Sequence, residues 1–384
     1  MTRARMLYAV IALALLALAG FGVWMASLPG TPSALTATPV PQAEVDALLT
    51  TLEPRRARPV IAVPGLNAGT ETTDYLLPAS ILRRADVAEV RLLAAAPGPV
   101  QLYPALRVQP DATFAGFDAA YPGGADYVIV PAMRVDDDPA ILDWLRQQAR
   151  KGATIIGVCA GAKVVAAAGL LNGRRATTHW YYLDTLLSRS PTIQYVPDRR
   201  MVADRGVVTT TGITASVPTA LAMVQAIAGS GRADALAREL GVLPWDARHA
   251  SGAFQLTRPF ATTVLKNRLS LWRRESLGLR LTPGMDELAL AFAADIWSRT
   301  YLSRVQSYAK TTDPVPTRGG IRVIPDLAAP DWPQQSRITL PKGPPLQALD
   351  RALEAVLARY DKATADIVAM QLEYPRWDSD LLSR

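Results

Sequence analysis

The stretch that most limits what this chain can fold into is GATIIGVCAGAKVVAAAGLLNGRRATTHW, residues 152–180, which holds the single cysteine and one of the two histidines. A β-branched apolar run, Thr154-Ile155-Ile156, leads into Gly157-Val158-Cys159-Ala160-Gly161, and a helical apolar pattern (Val164, Val165, Ala168, Leu171) follows at once. Small residues on both sides of Cys159 let a strand turn sharply into a helix, the elbow that lifts a nucleophile out of a sheet. A lone cysteine in an apolar run is by itself an inert small hydrophobe. The flanking glycines and the strand–turn–helix context make this one a candidate nucleophile. Helix amides beside the sulfur predict a thiol pKa below the reference of about 8.5 and selective peroxide oxidation to the sulfinic acid.

This segment, with Gly206-Val207-Val208-Thr209-Thr210-Thr211-Gly212 and the helix-like VPTALAMVQAI, resembles the ThiJ/PfpI family of the class I glutamine amidotransferase-like superfamily. The likeness is greatest to the amidase-like sensor domain of AraC-type regulators and runs from about Arg58 to Trp245. It implies a flavodoxin-like parallel sheet with helices on both faces and cofactor-free cysteine chemistry. The family places a carboxylate on the helix after the first strand, four residues before a proline, and Asp74 stands there ahead of Pro78. Many members carry Glu, so the shorter Asp leaves open direct contact with Cys159 or contact through a water; Asp74 also reads as a helix cap. His179, ending the TTH segment, is placed near the cysteine pocket by the resemblance. Peptidase-type relatives have a histidine directly after the cysteine; Ala160 here argues against a protease. Pro131-Ala132-Met133 replaces the usual Pro-Gly-Gly, so the oxyanion donors implied are the amides of Ala132 and Ala160, with Met133 adding bulk that would shrink or redirect the pocket.

The rest of the region reads as alternating strands and helices: Val60–Val63, a helix over Asp74–Arg84, Val90–Ala95, Asp126–Val130, a helix over Pro139–Arg150, Val207–Thr210 and a closing helix over Ala220–Ala228. That rhythm argues a parallel sheet covered on both faces. The elbow then lies at the carboxyl end of a central strand, where open α/β sheets place their sites.

Before this region, Arg3 and Arg5 precede Met6–Leu28, twenty-three residues without a charge. At about 1.5 Å rise per residue they span roughly 30 Å of hydrocarbon. Ala17-Leu18-Ala19 offers a cleavage pattern, but the apolar run continues through Trp24 and Met25, which favours an uncleaved anchor. The arginines stay on the cytoplasmic side, and the bulk of the chain is extracytoplasmic, in the periplasm if bacterial. A proline-punctuated linker covers 29–57, with a short helix near Glu44–Leu52.

In the last third, VRLLAAAPGPVQLYPALRVQPD (90–111) aligns without gaps on VQSYAKTTDPVPTRGGIRVIPD (305–326). Pro283-Gly284 resembles Pro64-Gly65, and the final ALDRALEAVLARYDKATADIVAMQLEYPRWD resembles ALAMVQAIAGSGRADALARELGVLPWD. Residues 246–384 therefore read as a degenerate second copy that has lost its middle, elbow included, and that packs on the first copy (58–245) as an intrachain pseudo-dimer; a homodimer is the other arrangement.

The formal charge of +7 is spread along the chain without a dense basic block, so no nucleic-acid partner is expected. Two histidines and one cysteine supply no usual metal cluster, and no cofactor is implied. Two classes of function stay open. One is a membrane-anchored cysteine hydrolase or lyase acting on a small carbonyl, amide or nitrile-like substrate, with Cys159 attacking and Asp74 and His179 handling protons. The other is a non-catalytic ligand-binding or sensor module without the regulators' helix-turn-helix region.

Overall fold

In the computed structural model, which describes residues 3–32, 36–242, 245–341 and 343–374, the strands form four sheets: one central to each half of the chain, a five-stranded one joining the halves and a two-stranded one. The largest has seven strands in the order Met201–Asp204, Val207–Thr210, Thr154–Gly157, Tyr127–Val130, Val60–Gly65, Glu89–Ala94, Ala112–Thr113. All neighbours are parallel except the edge hairpin of Met201–Asp204 on Val207–Thr210. Leaving out the two-residue edge strand, the parallel strands lie 2-1-3-4-5 in chain order, the flavodoxin-like arrangement.

Period-two alternation divides each strand between two cores. Ile61, Val63, Ile129, Ile156 and Val208 face one side, and Val60, Ala62, Val128, Val130, Ile155 and Val207 the other. The helix Pro139–Arg150 has the predicted bounds, set by proline in its first turn and by the Asp138 side chain accepting from the Ala140 amide. The helix predicted from Asp74 begins two residues earlier, at Thr72, because Glu71 is the cap and accepts from the Asp74 amide. Asp74 is thus inside the first turn and is not the cap. Within the expected linker, the helix Gln42–Thr51 packs against the body, with Leu48 and Leu52 buried in its core.

The second sheet is wholly parallel, in the order Leu327–Ala328, Ser303–Ala309, Glu275–Arg280, Arg337–Ile338. Many of its features sit at one constant distance from a feature of the first sheet. The strand starts Val60 and Glu275, and Ala112 and Leu327, are 215 apart (275 − 60, 327 − 112). So are the helix starts Thr72 and Glu287, whose helices pack together (287 − 72). Between the units, Arg107–Gln109 pairs antiparallel with Arg322–Val323, and Val108 stands opposite Val323 (323 − 108 = 215). Arg84 bonds Asp286 at 2.6 Å while Arg299 bonds Glu71 at 2.7 Å, the same exchange read in both directions. Asp111 accepts from the Leu92 amide at 2.7 Å, and Asp326 from the Ser307 amide at 2.8 Å.

Two sequence correspondences do not follow this spacing. Pro283-Gly284 lies in the turn beyond Leu281; by the 215-residue spacing, Leu279 and Arg280 occupy the places of Pro64 and Gly65 (279 − 64, 280 − 65). The likeness ending at Trp245-Asp246 and 377–378 falls partly outside the described residues. Residues 246–274, including the helix Arg258–Leu269, belong to neither sheet.

At the N-terminus, Arg3–Ser27 is one helix, and its Val10–Ser27 part is long and apolar enough to cross a membrane. Arg258 ties its end to the body, donating from its guanidinium to the Leu28 carbonyl (3.2 Å) and from its amide to the Pro29 carbonyl (2.8 Å).

Candidate active site

The buried strand Thr154–Gly157 ends at Val158, and the chain enters the helix Gly161–Ala167 through Cys159, whose φ is +56°. A non-glycine residue in the left-handed region is strained, and such strain persists only where the surroundings fix it. Here the Cys159 amide donates to Thr210 Oγ1 (3.1 Å) and its carbonyl accepts from Thr178 Oγ1 (2.9 Å). The Thr177 amide donates in turn to Thr209 Oγ1 (2.9 Å). The two threonine runs of the sequence therefore clamp the elbow from both sides. Gly161 is required by close approach: a Cβ there would overlap the Val130 carbonyl oxygen.

Asp74 reaches this elbow from the neighbouring helix, fully buried. Its Oδ2 accepts from the Ala132 amide at 3.1 Å, and its Oδ1 is buried without a hydrogen-bond partner. The Cys159 thiol is close enough that each group shifts the other. Burial raises the Asp74 pKa to about 7, against the opposing pull of the Ala132 amide and Arg299. The thiol is also pushed up, first by burial, then by the charges of Asp74, Glu71 and Glu373, with the Ala160 amide acting the other way. This overturns the expected low thiol pKa. The helix behind the sulfur has seven residues and contributes little against three nearby carboxyl groups and an apolar setting.

The other expected site residues fare differently. The Ala160 amide, expected as an oxyanion donor, is directed at the sulfur. Ala132 lines the cavity, but its N–H is taken by Asp74 and is not free for an oxyanion. Met133 packs into the core on the far side of the sheet, so it does not narrow the pocket. His179 lines the pocket, yet both ring nitrogens are engaged: Nδ1 accepts from the Tyr181 amide (3.1 Å) and Nε2 donates to the Gln371 carbonyl (2.9 Å). Burial lowers its pKa, so it is neutral and held by backbone, without the free nitrogen a proton carrier needs.

Three charged groups were missed in the sequence reading. Glu71 is buried and accepts from the Asp74 amide (2.6 Å), Thr73 Oγ1 (2.8 Å) and Arg299 (2.7 Å). Burial, with Asp74 beside it, holds its pKa well above the usual carboxylate range despite the Arg299 partner. Arg299, from the second unit, is clamped by Asp295 (2.7 Å) as well as Glu71 and stays charged, its pKa raised by those carboxylates against desolvation. Glu373, at the end of the C-terminal helix Lys362–Leu372, accepts from the Trp180 amide (2.6 Å) and the Gly212 amide (2.7 Å), both flanking the elbow. The 215-residue alignment places Arg299 opposite Arg84, which was the available signal for it; Glu373 had none.

Glu71, Arg299 and Cys159 line a cavity of about 630 Å³. Its floor is polar, with Cys159, Glu71, Arg299 and Tyr182, and its walls are apolar, with Phe21 and Trp24 of the N-terminal helix and Phe260, Val264 and Leu265 of the helix Arg258–Leu269.

The sequence pattern of the DJ-1/PfpI family matches residues 61–226. The chain is 36% identical over 151 residues to an isonitrile hydratase of Pseudomonas putida, covering 38% of this chain and 62% of that protein. It is 38% identical over 86 residues to the HTH-type transcriptional regulator CdhR of Pseudomonas aeruginosa, covering 22% and 25%. To the Parkinson disease protein 7 homolog of Danio rerio it is 28% identical over 170 residues, covering 43% and 88%. The chain thus spans less than two thirds of the length of the first two relatives. Among solved structures, a DJ-1 superfamily protein from Salmonella typhimurium aligns with a TM-score of 0.43 at 24% identity, over 49% of this chain and 100% of that one. A ThiJ/PfpI family protein from Pseudomonas syringae aligns with a TM-score of 0.44 at 24% identity, over 49% and 77%.

Proposed function

From the premise that residues 61–226 form a domain of the DJ-1/PfpI family, we propose that this domain is a cofactor-free cysteine site adding water to a small carbonyl, amide or nitrile-like carbon. The observation that carries the reading is the strained Cys159 elbow facing a cavity, with the Asp74 carboxyl, pKa about 7, beside the thiol. A carboxyl with that value exchanges protons at neutral pH, as a general acid–base requires. For a carbon–nitrogen multiple bond the balance is simple. Sulfur bonds to carbon and Asp74 carries the thiol proton to the substrate. Water then adds to the thioimidate carbon, the carbon–sulfur bond breaks, and sulfur regains its proton as an amide leaves. Nothing is oxidised or reduced. Arg299 favours the anionic sulfur and the developing negative charge. The likeness to an isonitrile hydratase supports this class of substrate.

A second reading, a ligand-binding module, draws support from the same site: the thiol pKa is raised, the Ala132 amide is occupied and His179 is locked by backbone. Full-length protein offered a simple alkyl isonitrile, nitrile and primary amide separates the two. Amide formation that falls by about 10²-fold or more in Cys159→Ser and Asp74→Asn fits the first reading. Saturable binding without turnover of any of the three fits the second.

The organisation we propose has residues 1–28 as an uncleaved anchor, the body on the extracytoplasmic side, and the tail as a shortened second copy of the site domain, packed on it as a pseudo-dimer. The length and apolarity of Val10–Ser27 and the arginines before it support the anchor. The constant 215-residue spacing and the reciprocal Arg84–Asp286 and Arg299–Glu71 pairs support the repeat.

A further inference from the structure

The helix Arg258–Leu269 and the turn after it form a surface unlike the rest of the body. Leu265, Leu269, Leu271 and Trp272 are exposed, the last three at 62%, 62% and 83%. Among them stand Lys266, Arg268, Arg273 and Arg274, and no acidic residue occurs between Arg258 and Arg274. Exposed leucine and tryptophan set among cations match the headgroup boundary of an anionic bilayer, where aromatic and apolar side chains enter the lipid and basic ones stay at its surface.

The position of the surface identifies its partner. Arg258 holds the last turn of the N-terminal helix through the Leu28 carbonyl, while Val264 and Leu265, farther along, share a cavity wall with Phe21 and Trp24. The two helices therefore run in opposite directions side by side. Moving from Arg258 toward Leu269 descends the apolar helix from its outer end by about 1.5 Å per residue. The exposed Leu269, Leu271 and Trp272 follow Leu265 on the side of that wall away from Arg258. A helix that spans the bilayer would draw them into lipid.

We propose that residues 265–274 dock into the lipid–water interface beside the anchor, so that the cavity over Cys159 opens at the bilayer and admits amphiphilic or apolar molecules that partition into the membrane. The apolar walls and polar floor of that cavity suit such a molecule, with its reactive end on Cys159 and its apolar part between Trp24 and Leu265. This rests on the anchoring reading, and the test separates the two.

Full-length Cys159→Ser protein carrying Leu16→Cys, Leu265→Cys, Trp272→Cys or Gly123→Cys is labelled with an environment-sensitive fluorophore. It is then reconstituted in vesicles of phosphatidylcholine and phosphatidylglycerol. Leu16 lies mid-helix, and Gly123 is exposed in the loop before the strand Tyr127–Val130, at the amino end of the strands, opposite the site. The expected result is quenching by nitroxide lipids at 16, 265 and 272, with several-fold protection from aqueous iodide relative to 123. Leu269→Cys repeats the measurement should Trp272→Cys fold poorly. Lipid contact at 16 with iodide access at 272 or 265 equal to that at 123 overturns the proposal and leaves the anchor standing. Iodide access at 16 overturns both. Shielding of 272 from both quenchers, with self-quenching between labels, assigns the surface to a second copy of the chain and likewise overturns it.

Discussion

Asp74 lies beside Cys159 among three buried carboxyl groups, of Glu71, Asp74 and Asp295, that share one guanidinium, Arg299. Burial disfavours the charged form of each, one cation cannot offset three buried anions, and the rise of Asp74 to about 7 follows. Because the ionised Asp74 opposes thiolate formation, Asp74→Asn is expected to lower the Cys159 pKa and speed iodoacetamide labelling at pH 8, measured by intact mass. Equal rates in wild type and variant would refute that coupling. The sign for stability follows from the same shift. An acid raised from 3.8 to about 7 binds more protons folded than unfolded between those values, so its contribution to stability falls as pH rises through that window. Asp74→Asn escapes this loss. Its denaturation midpoint relative to wild type should rise from pH 4 to pH 8, and a pH-independent difference would count against a raised Asp74.

At the scale of elements, the elbow depends on the helix Gly161–Ala167 starting against the end of the strand Tyr127–Val130. Gly161→Ala places a methyl group on the Val130 carbonyl oxygen and is expected to cost about 1–3 kcal/mol by overpacking, or more if the elbow shifts. Chemical denaturation measures it, and an unchanged midpoint would mean that the elbow relaxes freely. The paired helices Thr72–Ala85 and Glu287–Ser298 carry the reciprocal ion pairs, whose arginines are largely buried. Removing either arginine leaves buried carboxylates unmatched, so Arg84→Ala and Arg299→Ala are each expected to destabilise by about 3–5 kcal/mol. Losses below about 1 kcal/mol for both would place these pairs with exposed surface bridges.

For the whole molecule, the second unit does more than pack. Its Arg299 and Gln371 reach the cavity, and Glu373 at the end of its last helix holds the amides of Trp180 and Gly212. The first unit by itself would therefore hold an incomplete pocket. The proposed orientation is tested by alkaline phosphatase fused to the C-terminus of the full chain, which should be active, since that enzyme needs the oxidising side of the membrane. Activity confined to a cytoplasmic reporter at the same point would reverse the orientation.

The alternation of strands and helices and the elbow were legible in the sequence because each is set locally: buried strands read as apolar runs, and a sharp turn into a helix needs small residues; the flavodoxin-like order and the place of Asp74 came from the family resemblance. The 215-residue spacing was legible over 90–111 and 305–326, where Pro-Val, Arg-Val and Pro-Asp stand at matching positions. The protonation and wiring of the site were not. The raised thiol, the occupied Ala132 amide, the two backbone bonds of His179 and the arrival of Arg299 and Glu373 all depend on groups far apart in the chain. Burial and the sum of neighbouring charges decide a pKa, and both exist only once the chain has folded.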